Sequence, residues 1–173
     1  MTKAKREGQM ILYPKLYLNS VFEISLEILE KNNIKGLILD VDNTLIDIDR
    51  VMPEGLETWC EDLKNANIKM CIVSNTNKLK KVKKVATDLD IPYISFAKKP
   101  SKKGFYKAME ILELESKHIA VVGDQIMTDV LGGNRVGMFT ILTKPLDKRD
   151  IILTRVKRPL ENIIIRKYLK NNN

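Results

Sequence analysis

Four short stretches of the chain hold residues that can do chemistry together. The first, Asp40-Val41-Asp42-Asn43-Thr44, lies at the end of an apolar run that starts at Leu37. Carboxylates at i and i+2 repel each other, so placing them together on an apolar segment calls for a compensating cation. Oxygen donors of this kind suit Mg²⁺. A second acidic stretch, Gly123-Asp124-Gln125-Ile126-Met127-Thr128-Asp129, closes another apolar run and can complete such a metal site. Ser74-Asn75 follows the run from Lys69 and offers a hydroxyl and a helix N-terminus to phosphate oxygens. Lys99, before Pro100, adds a fixed cation, with Lys98 as the weaker alternative.

These stretches need a scaffold that brings them to one place. From Leu37 to Thr143, short apolar runs alternate with amphipathic stretches, the pattern of consecutive βα units. Strands are expected at Leu37 to Asp42, Lys69 to Asn75, Tyr93 to Ala97, His118 to Asp124 and Met138 to Thr143. The fold class is therefore α/β, with three layers and a central, mainly parallel sheet. The acidic groups then fall at the carboxyl ends of strands, where open α/β sheets bind ligands. Helices with one apolar stripe are expected around Trp59, around Phe105 and from about Asn77 to Asp90. The last of these buries Leu79, Val82, Val85, Ala86 and Leu89, and its five lysines read as a solvated face. Trp59 is expected in the core, His118 in a structural or surface role, and Gly132, Gly133 and Gly137 at helix ends and turns. Cys60 and Cys71 lack metal-type spacing and read as buried thiols.

In order along the chain, Asp-x-Asp-x-Thr, strand-end Ser, Lys-Pro and Gly-Asp-x₄-Asp resemble the phosphohydrolases of the haloacid dehalogenase (HAD) superfamily. The resemblance implies a HAD-like, Rossmannoid fold in which Asp40 attacks phosphorus to form an aspartyl-phosphate, with Asp42 as general acid and then base. Mg²⁺ would be held by Asp40, the main-chain carbonyl of Asp42, and Asp124, with Asp129 supporting that shell. Ser74, Asn75 and Lys99 would hold phosphoryl oxygens. Thr44, and Asn75 again, would orient the loops, with Thr128 a weaker candidate. Asp40 and Ser74 are 34 positions apart and Ser74 and Lys99 25, which leaves no space for an inserted cap.

Length and composition set the outer bounds. At 173 residues, 44% hydrophobic and 30% charged, the chain is expected to form one globular domain, residues 1–173, and is too apolar to be disordered. Its catalytic core spans about 36–143, between an N-terminal helical flank from Ser20 to Lys31 and a basic C-terminal flank. No run approaches the ~20 apolar residues of a membrane span, and Met1 to Met10 has no secretory pattern. The expected location is the cytoplasm, with peripheral contact at the inner face of the membrane as an extension. Of the net charge of +8, residues 1–35 carry +2, residues 36–143 none and residues 144–173 +6. Tyr13-Pro-Lys-Leu-Tyr17 and Thr154-Arg-Val-Lys-Arg158 resemble the flanks of the bacterial YqeG-type subfamily of HAD class IIIA, related to mitochondrial phosphatidylglycerophosphate phosphatases. That likeness implies a phospholipid phosphomonoester as substrate, and the basic tail would suit an anionic bilayer. Leu160, Ile164 and Tyr168 equally suit a helix docked on the core. A phosphatase of soluble or protein phosphomonoesters is the second reading. A nucleic-acid or ribosome-binding module is the third, disfavoured because no aromatic residues interleave with the lysines.

Overall fold

The apolar runs of the sequence become strands because both of their faces are covered. In the computed structural model, which describes residues 11–147 and 158–172, the strands are β1 (Leu16–Leu18), β2 (Gly36–Leu39), β3 (Lys69–Val73), β4 (Tyr93–Ile94), β5 (Ile119–Gly123) and β6 (Phe139–Thr143). Every residue of β2 and β5 is buried. The strands form one sheet in the order β1-β6-β5-β2-β3-β4, and every pairing in it is parallel. From β2 the chain winds outward to β3 and β4, then returns to β5 on the other side of β2 and winds outward again. The reversal falls between β2 and β5, the position where an open parallel sheet leaves a crevice at its carboxyl edge.

Alternation along β2 divides the core in two. Leu37 and Leu39 face α1 (Leu26–Lys31), α2 (Leu56–Asn65) and α3 (Leu79–Asp88), through side chains such as Leu29, Cys60 and Val82. Ile38 faces the other way, onto Phe105, Ala108 and Leu112 of α4 (Lys102–Leu112). The next turns are a π-helix at Ile126–Val130 and α5 (Leu131–Arg135), and the last helix is α6 (Arg158–Asn172). No separate domain interrupts the chain between β2 and Lys99, so the expected capless, three-layer α/β arrangement is present.

Some elements differ from the sequence expectation. The Tyr13–Tyr17 flank holds a sixth strand, because Leu16 to Leu18 pair with β6 at the sheet edge; three half-buried residues carry no periodicity that reveals this. The first helix is broken: Val21–Glu23 forms a single 3₁₀ turn, and α1 begins only after Ser25, whose hydroxyl caps the Ile28 amide at 3.3 Å. Leu79 is 47% exposed rather than buried, because it starts α3 at the rim of the sheet. Gly132 and Gly133 are not turn residues. They lie buried inside α5, where a Cβ on Gly132 would stand 2.4 Å from the Phe105 ring. Gly137, with φ +74°, does occupy a turn.

The C-terminal helix docks by part of the expected stripe, through Ile164 and Tyr168 but not Leu160. Ile164 is buried with Ile126, Val130 and Leu142, while Leu160 is 51% exposed. Buried Glu161 takes its place and accepts a hydrogen bond from the Met127 amide at 3.1 Å. Tyr168 meets Tyr13 edge to face, with centroids 5.8 Å apart. Of the basic segment Thr154 to Arg158, residues 154–157 lie outside the described residues.

Candidate active site

The carboxyl ends of β2, β3 and β5 bring the expected residues together. Asp40 follows β2 directly, and its amide still donates to the Val122 carbonyl at 2.9 Å, so the strand ladder fixes where its side chain starts. Asp124 follows β5 in the same way. Asp129 arrives from the π-helix, a wide turn of a kind that often re-aims a functional side chain. One carboxylate oxygen from each of Asp40, Asp124 and Asp129 lies within 4.8 Å of the other two, and all three residues are buried. Gly123 makes the approach possible, since a Cβ there would stand 2.3 Å from the Asp129 carboxyl carbon.

Lys99 holds this acidic group together. Its Nζ donates to Asp40 Oδ1 at 2.5 Å and to Asp129 Oδ1 at 2.6 Å, with its side chain 3% exposed. Asn75 fixes the lysine from behind. Its side-chain oxygen accepts from the Lys99 amide at 2.6 Å, and its side-chain nitrogen donates to the Lys99 carbonyl at 3.0 Å. Asp129 Oδ2 accepts from the Gln125 amide and the Thr128 hydroxyl, both at 3.3 Å. Ser74 is buried beside them. Its Oγ accepts from the Thr76 amide at 3.2 Å, which leaves its own proton to donate.

Three buried carboxylates cluster here, and Lys99 bonds directly to two of them. Burial pushes the Asp40 carboxyl up to about 7, against the pull of Lys99 and with the repulsion of Asp129 and Asp42 added. Burial likewise opposes the Lys99 cation, but Asp129 and Asp40 outweigh it and hold its pKa above the ordinary lysine value. A cation beside Asp40 would offset the repulsion from Asp129 and Asp42. An all-oxygen donor set of carboxylates fits a hard divalent ion such as Mg²⁺ better than a soft one.

The Asp42 side chain stands apart from the trio. It is half-exposed and paired with Lys81 of α3, which is only 12% exposed and so departs from the solvated face expected of that helix. Thr44 is buried, and its hydroxyl makes no hydrogen bond among the described residues. The loop is tied instead by Asn43. With φ +61°, it accepts from the Leu146 amide on its carbonyl and from the Asp147 amide on its side chain, each at 3.0 Å. Among residues other than glycine, Asn is one of the types that best tolerate that conformation, so Asn43 had a signal in the sequence. Lys81 had none, being one of five similar lysines. His118 lies at the opposite edge of the sheet, where its Nδ1 is 2.9 Å from the Asn33 carbonyl oxygen. Lys98 is exposed, so Lys99 is the lysine that enters the site.

Comparison with known proteins agrees with this geometry. The family model described as mitochondrial PGP phosphatase matches residues 5–147. The probable phosphatase YqeG of Bacillus subtilis (strain 168) is 42% identical over 154 residues, which cover 88% of each chain. Phosphatidylglycerophosphate phosphatase 1, chloroplastic/mitochondrial, of Arabidopsis thaliana is 27% identical over 184 residues; the match takes in 95% of this chain and spans 50% of that protein's length. Among solved structures, the cobalt-bound deoxy-D-mannose-octulosonate 8-phosphate phosphatase (YrbI) of Haemophilus influenzae shares the fold at a TM-score of 0.50 and 16% identity, over 79% of this chain and 90% of that one. The family match runs through every strand that carries a site residue, and it makes the chain a phosphatase of the HAD type that belongs to the mitochondrial PGP phosphatase family.

Proposed function

We propose that the protein is a Mg²⁺-dependent phosphomonoesterase that works through an aspartyl-phosphate on Asp40, with phosphatidylglycerophosphate as its substrate. The observation that carries the mechanism is the buried lysine bridge. Lys99 Nζ lies within hydrogen-bond distance of both Asp40 and Asp129, so the side chain best placed to attack a phosphoryl group sits beside a fixed cation. One oxygen of Asp40 attacks phosphorus in line with the ester oxygen, the P–O ester bond breaks, and Asp42, released from its pair with Lys81 and protonated from solvent, gives that proton to the departing alkoxide. Asp42, then a carboxylate, takes a proton from the water that attacks phosphorus and releases Asp40. Ser74 Oγ–H and Lys99 Nζ hold equatorial phosphoryl oxygens throughout. Asn75 acts on the same step by positioning Lys99, since both ends of its amide are used on that residue's main chain. The metal would be held by Asp40, Asp124 and the Asp42 main-chain carbonyl, with Asp129 supporting, and when bound it neutralises charge between the anionic nucleophile and the anionic ester.

The lipid substrate rests on family membership, and it is compatible with the site in that no separate domain is inserted between β2 and Lys99. The chain is proposed to act in the cytoplasm as one domain, with peripheral contact at an anionic membrane surface. No described helix is long and apolar enough to cross a membrane. The test is inorganic phosphate release from phosphatidylglycerophosphate in mixed micelles, with and without Mg²⁺, for wild type and Asp40→Asn. Mg²⁺-dependent release that the variant loses by about 10³-fold or more would support the reading, since the nucleophile is removed at nearly constant volume. Release from soluble phosphomonoesters but not from the lipid would keep the chemistry and move the substrate to the soluble pool. Full activity in Asp40→Asn would refute the nucleophile.

A further inference from the structure

Next to Asp42 the surface opens into two adjoining clefts, of about 210 and 230 Å³, that share Arg50 and Lys81 as lining residues. Together they are lined by five cations, Arg50, Lys78, Lys80, Lys81 and Lys84, and by two carboxylates, Asp42 and Asp47. Two of the cations are spoken for. Lys81 pairs with Asp42, and Lys84 bonds Asp88 at 2.6 Å. Arg50, Lys78 and Lys80 form no ion pair among the described residues. Arg50 is held in place by its turn, with φ +66° and its amide donating to the Asp47 carbonyl at 3.1 Å, while the Val51 amide donates to Asp47 Oδ1 at 2.8 Å. Buried Ile46 and Val85 supply part of the wall. A cleft with an excess of positive charge and a low-dielectric wall focuses its field on an anion.

We propose that this cleft binds a second phosphate of the substrate, carried on the leaving-group side. The inference rests on the reading of Asp42 as the acid that protonates the leaving group, because whatever flanks Asp42 then faces that group. The reacting phosphoryl is held by Ser74 and Lys99, neither of which lines the clefts. Arg50 grips the second phosphate through its planar fork, and Lys78 and Lys80 add point charges. Such a pair of phosphates comes either from a soluble bisphosphate or from a phospholipid head group, in which one phosphate is a diester.

Calorimetric titration of the full-length Asp40→Asn variant with propane-1,3-diol bisphosphate and with propyl phosphate tests the cleft without turnover. The bisphosphate is expected to bind about tenfold more tightly or better, as charge-assisted contacts allow. That advantage should fall to about twofold on adding Arg50→Gln and Lys78→Gln together, with each single change moving it the same way. A Lys117→Gln control, on the exposed Glu115 pair at the far end of β5, should keep it. An equal advantage in all variants, or none in the parent, overturns the inference. Absence of phosphatase activity in the wild type would instead sink the catalytic reading, and the binding ratio would still decide the cleft. Comparing hydrolysis of micellar phosphatidylglycerophosphate with that of the soluble bisphosphate tells which source supplies the second phosphate; a loss confined to the favoured one in the Arg50 and Lys78 variants supports the site.

Discussion

Lys99 is the residue on which the buried charges depend. Among the described residues it is the cation that bonds directly to two of the three clustered carboxylates, and its side chain is only 3% exposed. Removing one partner of a buried charged group leaves the other uncompensated, which costs more than the pair contributes. Lys99→Met should therefore lower the stability of the metal-free protein at neutral pH by about 3 kcal/mol or more, read from urea unfolding. The deficit should shrink on acidification, because protonated carboxyls need no counter-ion. A variant as stable as wild type at pH 8 would mean that the three aspartates tolerate one another without the lysine. Most of this constellation was legible in the sequence, since Asp40, Ser74 and Asp124 stand just past strand ends, Lys99 precedes a proline, and Asp129 closes the Gly-Asp-x₄-Asp pattern. Asn75 offered only its type, and its role in gripping the Lys99 main chain depends on a fold contact 24 residues away. Lys81 was hidden for a further reason: which lysine of a helix turns inward is decided by where the helix rests.

At the scale of elements, strands buried on both faces were the easiest to read, because a continuous apolar run leaves few alternatives. Helix bounds and the edge strand were harder. Ser25 breaks the first helix through a local cap, and β1 exists only because β6 offers it an edge. The two cysteines show how completely the elements are covered. Cys71 lies within β3 and Cys60 on the inner face of α2, and burial pushes their thiols up to about 12 and about 11. A thiol reacts as its thiolate, so both should resist iodoacetamide in the native protein at pH 8 and react together in denaturant, as followed by mass spectrometry. Rapid native labelling of Cys60 alone would mean that α2 lifts from the sheet.

For the whole molecule, one open parallel sheet turns its carboxyl edge toward one side and places on that side the acidic trio, the lysine and the basic clefts. The C-terminal helix reaches this arrangement from beneath, through Ile164 and the Glu161 contact to the Met127 amide. Ile164→Ala should cost about 2 kcal/mol or more in thermal unfolding and should lower turnover as well, since Met127 lies two positions before Asp129. Lost stability with unchanged turnover would uncouple the helix from the site. The wide turn at Ile126–Val130 has a consequence for what the gene can tolerate. There the Val130 amide reaches back to the Gln125 carbonyl at 3.4 Å, and the Asp129 amide to the same oxygen at 3.0 Å. Taking out one residue from 126–128 would turn the side chains of the rest of that helical stretch, from 129 to 135, by about 100° relative to β5. Asp129 would swing away from Lys99, although no functional residue had been altered. Insertions and deletions in this stretch should therefore be purged more strictly than substitutions at Met127, and a saturation library that includes single-codon deletions, selected for activity, would measure the difference.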